Sequence, residues 1–215
     1  RATELTRGLL AFARRQVLQR EDVEINTLVG GMLPMLRRLV PESISLTFDP
    51  DRDAGAAHVD PGQIEQVVMN LCVNARDAMH GAGILAIRTG TAVIDDAFRA
   101  NRPWAAPGPH CWFSVQDTGE GMDEPTQARI FEPFFTTKAQ GQGTGLGLAT
   151  VYGIVKQHGG MIDLWSQPGE GSLFTVFLPR VSSAVMAGRS RETTVTTVFT
   201  GNERLLLVED HDDLR

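Results

Sequence analysis

Asp60-Pro61-Gly62-Gln63 is a helix start that leaves the next five turns of chain little choice of structure. A capping carboxylate, a proline at the first helical position and a glutamine three residues on make a capping-box pattern. The helix is expected to run to about Met79. Ile64, Val68, Leu71, Ala75 and Met79 recur on one face and can pack on a sheet, while Gln63, Gln66, Asn70, Asn74 and Asp77 recur on another. A solvated face normally carries Lys and Glu; this one carries amides. Amide oxygens are neutral, hard ligands, suited to a Mg²⁺ whose main charge partner is a phosphate chain. Taken alone, the stripe reads equally well as a polar helix surface with incidental asparagines.

The surrounding elements are read from the same kind of signal. Ala2 to Val17 reads as a helix with Leu5, Leu9, Phe12 and Gln16 on one face, which needs a partner helix to hide it. A second helix is expected from Asn26 as cap, carrying Leu28, Met32, Met35, Leu36 and Leu39, with Pro34 early in it. Strands are expected at Ile44–Phe48, Ile84–Val93, Trp112–Asp117, Met161–Ser166 and Leu173–Leu178, with a loop at 102–109. A short helix at Glu124–Phe131 precedes a glycine-rich loop, and a helix from Leu146 to His158 stops at Gly159-Gly160. Together these give an α/β fold, a two-layer sandwich of one mixed, mostly antiparallel sheet and helices.

Composition narrows the function classes. The 215 residues carry a net charge of −6, which gives no electrostatic case for nucleic acid or an anionic membrane. Arg37-Arg38 reads as a solvated helix face. Cys72 and Cys111 lack metal-ligand spacing and read as reduced structural thiols, a disulfide being the alternative. That suits a cytoplasmic location. No apolar run approaches the roughly 18 residues of a membrane span. The chain opens at Arg1 without a methionine and closes inside a pattern, so a piece of a longer protein is expected, with any sensor or membrane anchor outside it.

Two further clusters carry chemistry. Asp117-Thr118-Gly119-Glu120-Gly121-Met122 sets a carboxylate at a strand end before two glycines. An ionised Asp only accepts hydrogen bonds, and the exocyclic amino group of adenine is a fitting donor. In isolation the segment reads as a glycine-rich turn. Gly141-Gln142-Gly143-Thr144-Gly145-Leu146-Gly147-Leu148 opens directly into a helix, where backbone N–H groups and the helix dipole favour an anion. It is not a P-loop, because no Lys-Ser/Thr pair comes after the glycines. Upstream, Phe131-Glu132-Pro133-Phe134-Phe135-Thr136-Thr137-Lys138 suits a mobile lid pinned by phenylalanines.

In this order the clusters resemble the ATP-binding domain of histidine kinases, within the wider group of gyrase, mismatch-repair and heat-shock-chaperone ATPases. Asn70 to Ala78 resembles its asparagine box, Asp117 to Gly121 the first glycine box, Phe131 to Lys138 the phenylalanine box and Gly143 to Gly147 the second glycine box. The resemblance covers roughly residues 23–179. It implies ATP and Mg²⁺ as ligands, with Asn74 on the metal and Asn70 supporting the phosphates or the metal's water. It implies that Asp117 reads adenine, with Gly119 and Gly121 giving the base room. Gly143, Thr144, Gly145, Leu146 and Gly147 would meet the phosphates, and Thr137 and Lys138 would reach the terminal ones. Asp77, counted with the ATP-binding residues by its place in the asparagine box, stands where many histidine kinases have a lysine, with Arg76 beside it as a cation of different direction. Leu173 stands where the closing strand often has a threonine, so a water-mediated contact to the base is expected to be absent.

The implied activity is transfer of the γ-phosphate to a histidine in a two-component phosphorelay. Hydrolysing members of the wider group carry a glutamate where this chain has Asn70, which cannot act as a general base. An ATP-hydrolysing or purely nucleotide-sensing member is the alternative. By the same resemblance, residues 1–20 end the dimerisation hairpin, 21–180 bind ATP, 181–203 link and 204–215 begin a receiver domain. Arg204 to Asp210 carries that last reading and makes the parent a hybrid kinase. Its partners would be its own phosphoacceptor domain, in a homodimer, and a receiver domain or response regulator. His58, His80, His110, His158 and His211 do not fit the phosphoacceptor. The chain alone is therefore expected to bind Mg-ATP without labelling itself; an acid-labile label from γ-labelled ATP overturns this.

Overall fold

In the computed structural model, which describes residues 18–100, 102, 104–139 and 143–181, the period-two segments form one sheet and the period-3.6 segments cover it. In chain order the elements are β1 (Glu21–Glu24), α1 (Ile25–Leu39), β2 (Ile44–Asp49), β3 (Ala56–Val59), α2 (Pro61–Ala78) and β4 (Gly83–Ile94). They continue with α3 (Asp96–Ala100), β5 (Gly108–Asp117), α4 (Glu124–Gln127), α5 (Gly147–Gln157), β6 (Met161–Gln167) and β7 (Gly171–Pro179). The five-stranded sheet has the order β2-β4-β5-β7-β6. β2 runs parallel to β4 and the other neighbours are antiparallel. One main core lies between this sheet and α1, α2 and α5, which is the mixed two-layer sandwich expected. The expected helix at 2–17 and the receiver-like end at 204–215 lie outside the described residues, as does the linker beyond Val181. No helix among the described residues is long and apolar enough to cross a membrane.

Several local expectations are corrected. α1 starts two residues earlier, after Glu24, and Asn26 does not cap it. The Asn26 side chain instead donates to the Asp51 carbonyl at 2.7 Å and accepts from the Thr89 hydroxyl at 2.6 Å, pinning the helix to the β2–β3 loop and β4. Pro34 sits inside α1 rather than early in it. A helix proline costs about 3 kcal/mol, against about 1.5–3 kcal/mol for each fully buried large side chain, so the buried Ile25, Leu28, Val29, Met32 and Leu36 outweigh it. Pro34 is exposed, so water can reach the carbonyl it frees. Met35 is off the buried stripe and half exposed. β5 begins at Gly108, inside the expected loop, and α4 stops at Gln127, short of Phe131.

Not foreseen were the two-stranded β1–β3 ribbon and α3. β1 and β3 have four residues each, too few for alternation to register. α3 sits over the far face of the sheet, where Ile94, Ala105, Met161 and Phe177 make a second small core with Phe98 and Trp112. Arg102 closes that region with a two-pronged bond to Asp163 and lies over the Phe98 ring. Both cysteines are free and buried, and burial pushes each thiol up to about 12. They are core atoms, unreactive in the native state.

The start of α2 behaves as its sequence demands, with one substitution of partners. The Asp60 carboxylate accepts from the Gln63 N–H at 3.2 Å, the first half of a capping box. Gln63 does not return the favour. The Asp60 N–H instead donates to His158 Nε2 at 3.0 Å, so that nitrogen is the acceptor and Nδ1 donates to the Ile154 carbonyl at 2.8 Å. His158, at the end of α5, is thereby held neutral, and burial lowers its pKa from the usual 6.5. A proton on Nε2 would set donor against donor. The unfolded chain binds that proton more readily, so this contribution is intact above about 6.5 and is lost as pH falls through the depressed folded value. Urea unfolding measured from pH 5 to 8 should show a smaller acid loss in His158→Gln than in the wild type. Equal slopes would remove the linkage.

Candidate functional site

One helix registers the site. Along α2, Asn70, Asn74 and Asp77 succeed one another on a single face, and each meets a different part of the chain. The Asn70 amide donates to the Gly147 carbonyl at 3.4 Å, and the Asn74 amide nitrogen lies 3.8 Å from where a side chain on Gly147 would begin. Asp77 receives Lys138 Nζ at 2.5 Å. At the end of the helix the Ala78 carbonyl accepts from the Glu120 N–H at 3.1 Å. From residue 70 to 78 is about 12 Å of helix. Within that length the second glycine loop, the lid and the first glycine loop are each anchored in turn. Gln66, expected on this face, is exposed, and Gln63 belongs to the start of the helix.

Asp117 ends β5 with only 3% of its surface exposed. Burial raises its pKa, while N–H groups of Gly119 and Ser172 pull the other way, the first at 2.8 Å. A buried carboxylate with fixed donors is a rigid acceptor for one more polar hydrogen. The glycines beside it do less for an incoming ligand than for the chain itself. A Cβ on Gly119 would fall 2.7 Å from the Ala78 carbonyl oxygen, and one on Gly121 would fall 1.8 Å from that of Gln167, at φ +66. Ser172 was missed. It stands directly opposite Asp117 in the β5–β7 ladder and meets the carboxylate through its backbone N–H, while its buried hydroxyl pairs with that of Ser166 at 3.0 Å. The signal was legible: strand alternation puts 172, not 173, on the face of Asp117.

The start of α5 is open. Leu146 is its cap and makes no side-chain cap bond; Thr150 is the first residue whose N–H reaches a carbonyl of the helix, that of Leu146 at 2.9 Å. The N–H groups of the first turn are therefore available to an anion. The Leu146 N–H is shared with the Thr144 hydroxyl at 3.4 Å. Gly145, at φ +64, lies so close to Phe134 that a Cβ would fall 2.3 Å from its carbonyl carbon, and Phe134 N–H donates to the Gly145 carbonyl at 2.9 Å. Phe134 itself has φ +68 and an exposed ring. Phe131 packs on Tyr152 of α5, and Arg129 covers Phe135. Gly143 rests on the Thr136 hydroxyl and the Lys138 stem. Thr137 and Thr144 are exposed; Gly141 and Gln142 lie outside the described residues.

Arg76 does not reach outward as a free cation. Its Nε and Nη2 clamp one oxygen of Asp77 at 2.9 and 2.6 Å, while Lys138 takes the other. Partial burial alone would raise the Asp77 pKa; the bonds and charges of Lys138 and Arg76 outweigh it, and the carboxyl sits below its ordinary range. Among the described residues no group of three His, Cys, Asp or Glu side chains could hold a metal. A divalent ion here would lack a cage of protein carboxylates and would lean on amides, water and a ligand. That fits Mg²⁺ beside Asn74 and a phosphate chain.

This combination, a mixed sheet whose covering helix faces an open helix start with amides, defines a nucleotide-binding fold. A family model, Histidine kinase-, DNA gyrase B-, and HSP90-like ATPase, matches residues 59–182. The chain belongs to that family, and it aligns with the ATP-binding catalytic domains of sensor histidine kinases. Sensor kinase CckA of Brucella abortus is 42% identical over 221 residues, covering all of this chain and 23% of that protein. Sensor histidine kinase ZraS of Klebsiella oxytoca is 34% identical over 180 residues, 83% of this chain and 36% of that protein. The chain thus spans about a quarter to a third of these curated relatives. The solved structure of full-length ShkA in complex with AMPPNP matches with a TM-score of 0.63 at 26% identity, over 83% of this chain and 35% of that one.

The glycine geometry gives a paired test. Gly121→Ala should destabilise the chain by about 2–4 kcal/mol, from positive-φ strain plus a backbone clash. Gly153→Ala, with open space around the added methyl inside α5, should stabilise it by about 0.5–1 kcal/mol. Chemical denaturation reads both, and equal effects at the two positions would refute the assignment.

Proposed function

We propose that this chain is the catalytic part of a sensor histidine kinase, holding Mg-ATP between α2 and the start of α5 for transfer of the γ-phosphate to a histidine of its dimerisation domain. One observation carries the reading: the uncapped first turn of α5 lies directly against Asn70 and Asn74. A helix start without a cap, facing amides rather than carboxylates, accommodates a polyanion and its metal without adding negative charge. N–H groups of Gly143, Gly145, Leu146 and Gly147 would meet the phosphates, with Thr144, Thr137 and Lys138 at the lid. Asp117 would accept from the adenine amino group, its carboxylate held by the N–H groups of Gly119 and Ser172. Mg²⁺, held by Asn74 and phosphate oxygens, would neutralise charge on the phosphates.

The chemistry asked of the chain is modest. A neutral imidazole nitrogen attacks the γ-phosphorus, the bond to the bridging oxygen breaks, and ADP leaves. Orientation and charge neutralisation supply most of the rate in such transfers. Asn70 spends its amide on the Gly147 carbonyl and cannot deprotonate water, which favours transfer over hydrolysis. The phosphoacceptor would come from the dimerisation domain of a homodimeric parent, and the phosphate would pass on to a receiver domain or response regulator.

Calorimetric titration checks the reading. Asp117→Asn should weaken Mg-ATP by about 10-fold or more, the worth of a charge-assisted bond in a buried site. Asn74→Ala should weaken Mg-ATP more than metal-free ATP. Unchanged affinities in both variants would place the nucleotide elsewhere.

A further inference from the structure

In place of a lysine on α2, the chain has Asp77 there and brings a lysine to it from the lid. We propose that Asp77 is a positioning residue: it seats the Lys138 ammonium on the amide face of α2, where the lid lysine serves the terminal phosphates of the nucleotide. The inference rests on the nucleotide reading above.

Three observations meet at this point. Asp77 is held from both sides, by Arg76 on one oxygen and Lys138 on the other, so neither the carboxylate nor the ammonium is left to rotate freely. Two cations and one carboxylate leave the cluster with one net positive charge. The carboxylate therefore fixes Lys138 without cancelling its attraction for an anion. The stem of Lys138 is fixed independently, since Gly143 lies against it; a Cβ on that glycine would fall 3.3 Å from Lys138 Cδ and 2.7 Å from the Thr136 hydroxyl. Finally, Asp77 lies three residues beyond Asn74 on the same face, about 4.5 Å along the helix axis. The seated ammonium is thus a near neighbour of the amide expected on the metal.

A lysine on a loop loses up to about 2 kcal/mol of side-chain entropy when ordered. Asp77 takes that loss before a nucleotide arrives. Without it, Lys138 would have to be ordered by the phosphates themselves. This assigns Asp77 no contact with ATP, a change from its expected place among the ATP ligands.

The test uses the full 215-residue chain and competition against a fluorescent ATP analogue, read as the preference for ATP over AMP. A ratio measured on one sample is insensitive to any unfolded fraction. Lys138→Ala should lower the preference about 5-fold, Asp77→Asn by a similar factor, and the double variant by no more than either, because the two residues act as one unit. A merely structural Asp77 would shift the melting temperature and leave the ratio alone. The proposal is overturned if Asp77→Asn keeps the wild-type ratio, if the two losses multiply, or if Asp77→Asn raises the ratio, which would make the carboxylate a competitor of the phosphates. If Asp117→Asn also binds both nucleotides as the wild type does, it is the nucleotide reading that fails.

Discussion

The bond from the Asp60 N–H to His158 Nε2 fixes the start of α2 to the end of α5, and the rest of the site depends on the relation between those two helices. Both lie on the same face of the sheet and share its core. At one end they are locked by Asp60 and His158; further along α2, Asn70 touches the first residue of α5. With two such contacts the open start of α5 has a fixed place opposite the amides. A site for a long anion needs this, because contacts made by a preorganised surface are not discounted by the cost of ordering it.

α2 can act as a reference because neither of its faces is spare. Ile64, Val68, Leu71 and Ala75 are buried in the core. The opposite side carries polar groups that meet loops rather than bulk water alone. The loops, in turn, are shaped by contacts that only glycine permits, as between Gly145 and Phe134 or Gly121 and Gln167. Chain packing is the first use of these glycines. Room for a ligand results from it, since a backbone drawn tight against its neighbours leaves its N–H groups, and not side chains, at the surface.

Elements with a strong period were legible: the α2 start, four of the five sheet strands to within two residues at each end, and the stop of α5 at Gly159, which has φ +69. Signals read from one residue type failed where a tertiary partner competed. Asn26 is a good cap by propensity, yet Asp51 and Thr89 offer it a bond apiece. Gln63 matched a capping box, yet the donor it should satisfy already had His158. β1, β3 and α3 were too short for periodicity to speak. In the candidate site, the ordered motifs name residues without naming what those residues touch. Nothing in the spacing of Asp77 and Lys138, 61 positions apart, says that they touch.

That last contact changes what a charge on this face means. A lysine carried by α2 would be a permanent feature of the helix, present in any lid position. A lysine carried by the lid is present only when the lid lies where Phe134, Gly145 and Gly143 hold it. With the carboxylate on the helix and the ammonium on the loop, the Arg76–Asp77–Lys138 group carries one net positive charge; without the loop's lysine, Arg76 and Asp77 would cancel. At an effective dielectric near 20, one unit charge about 4 Å from an anion's oxygen is worth about 4 kcal/mol before screening, so the lysine that the loop contributes weighs heavily in how this face meets a polyanion.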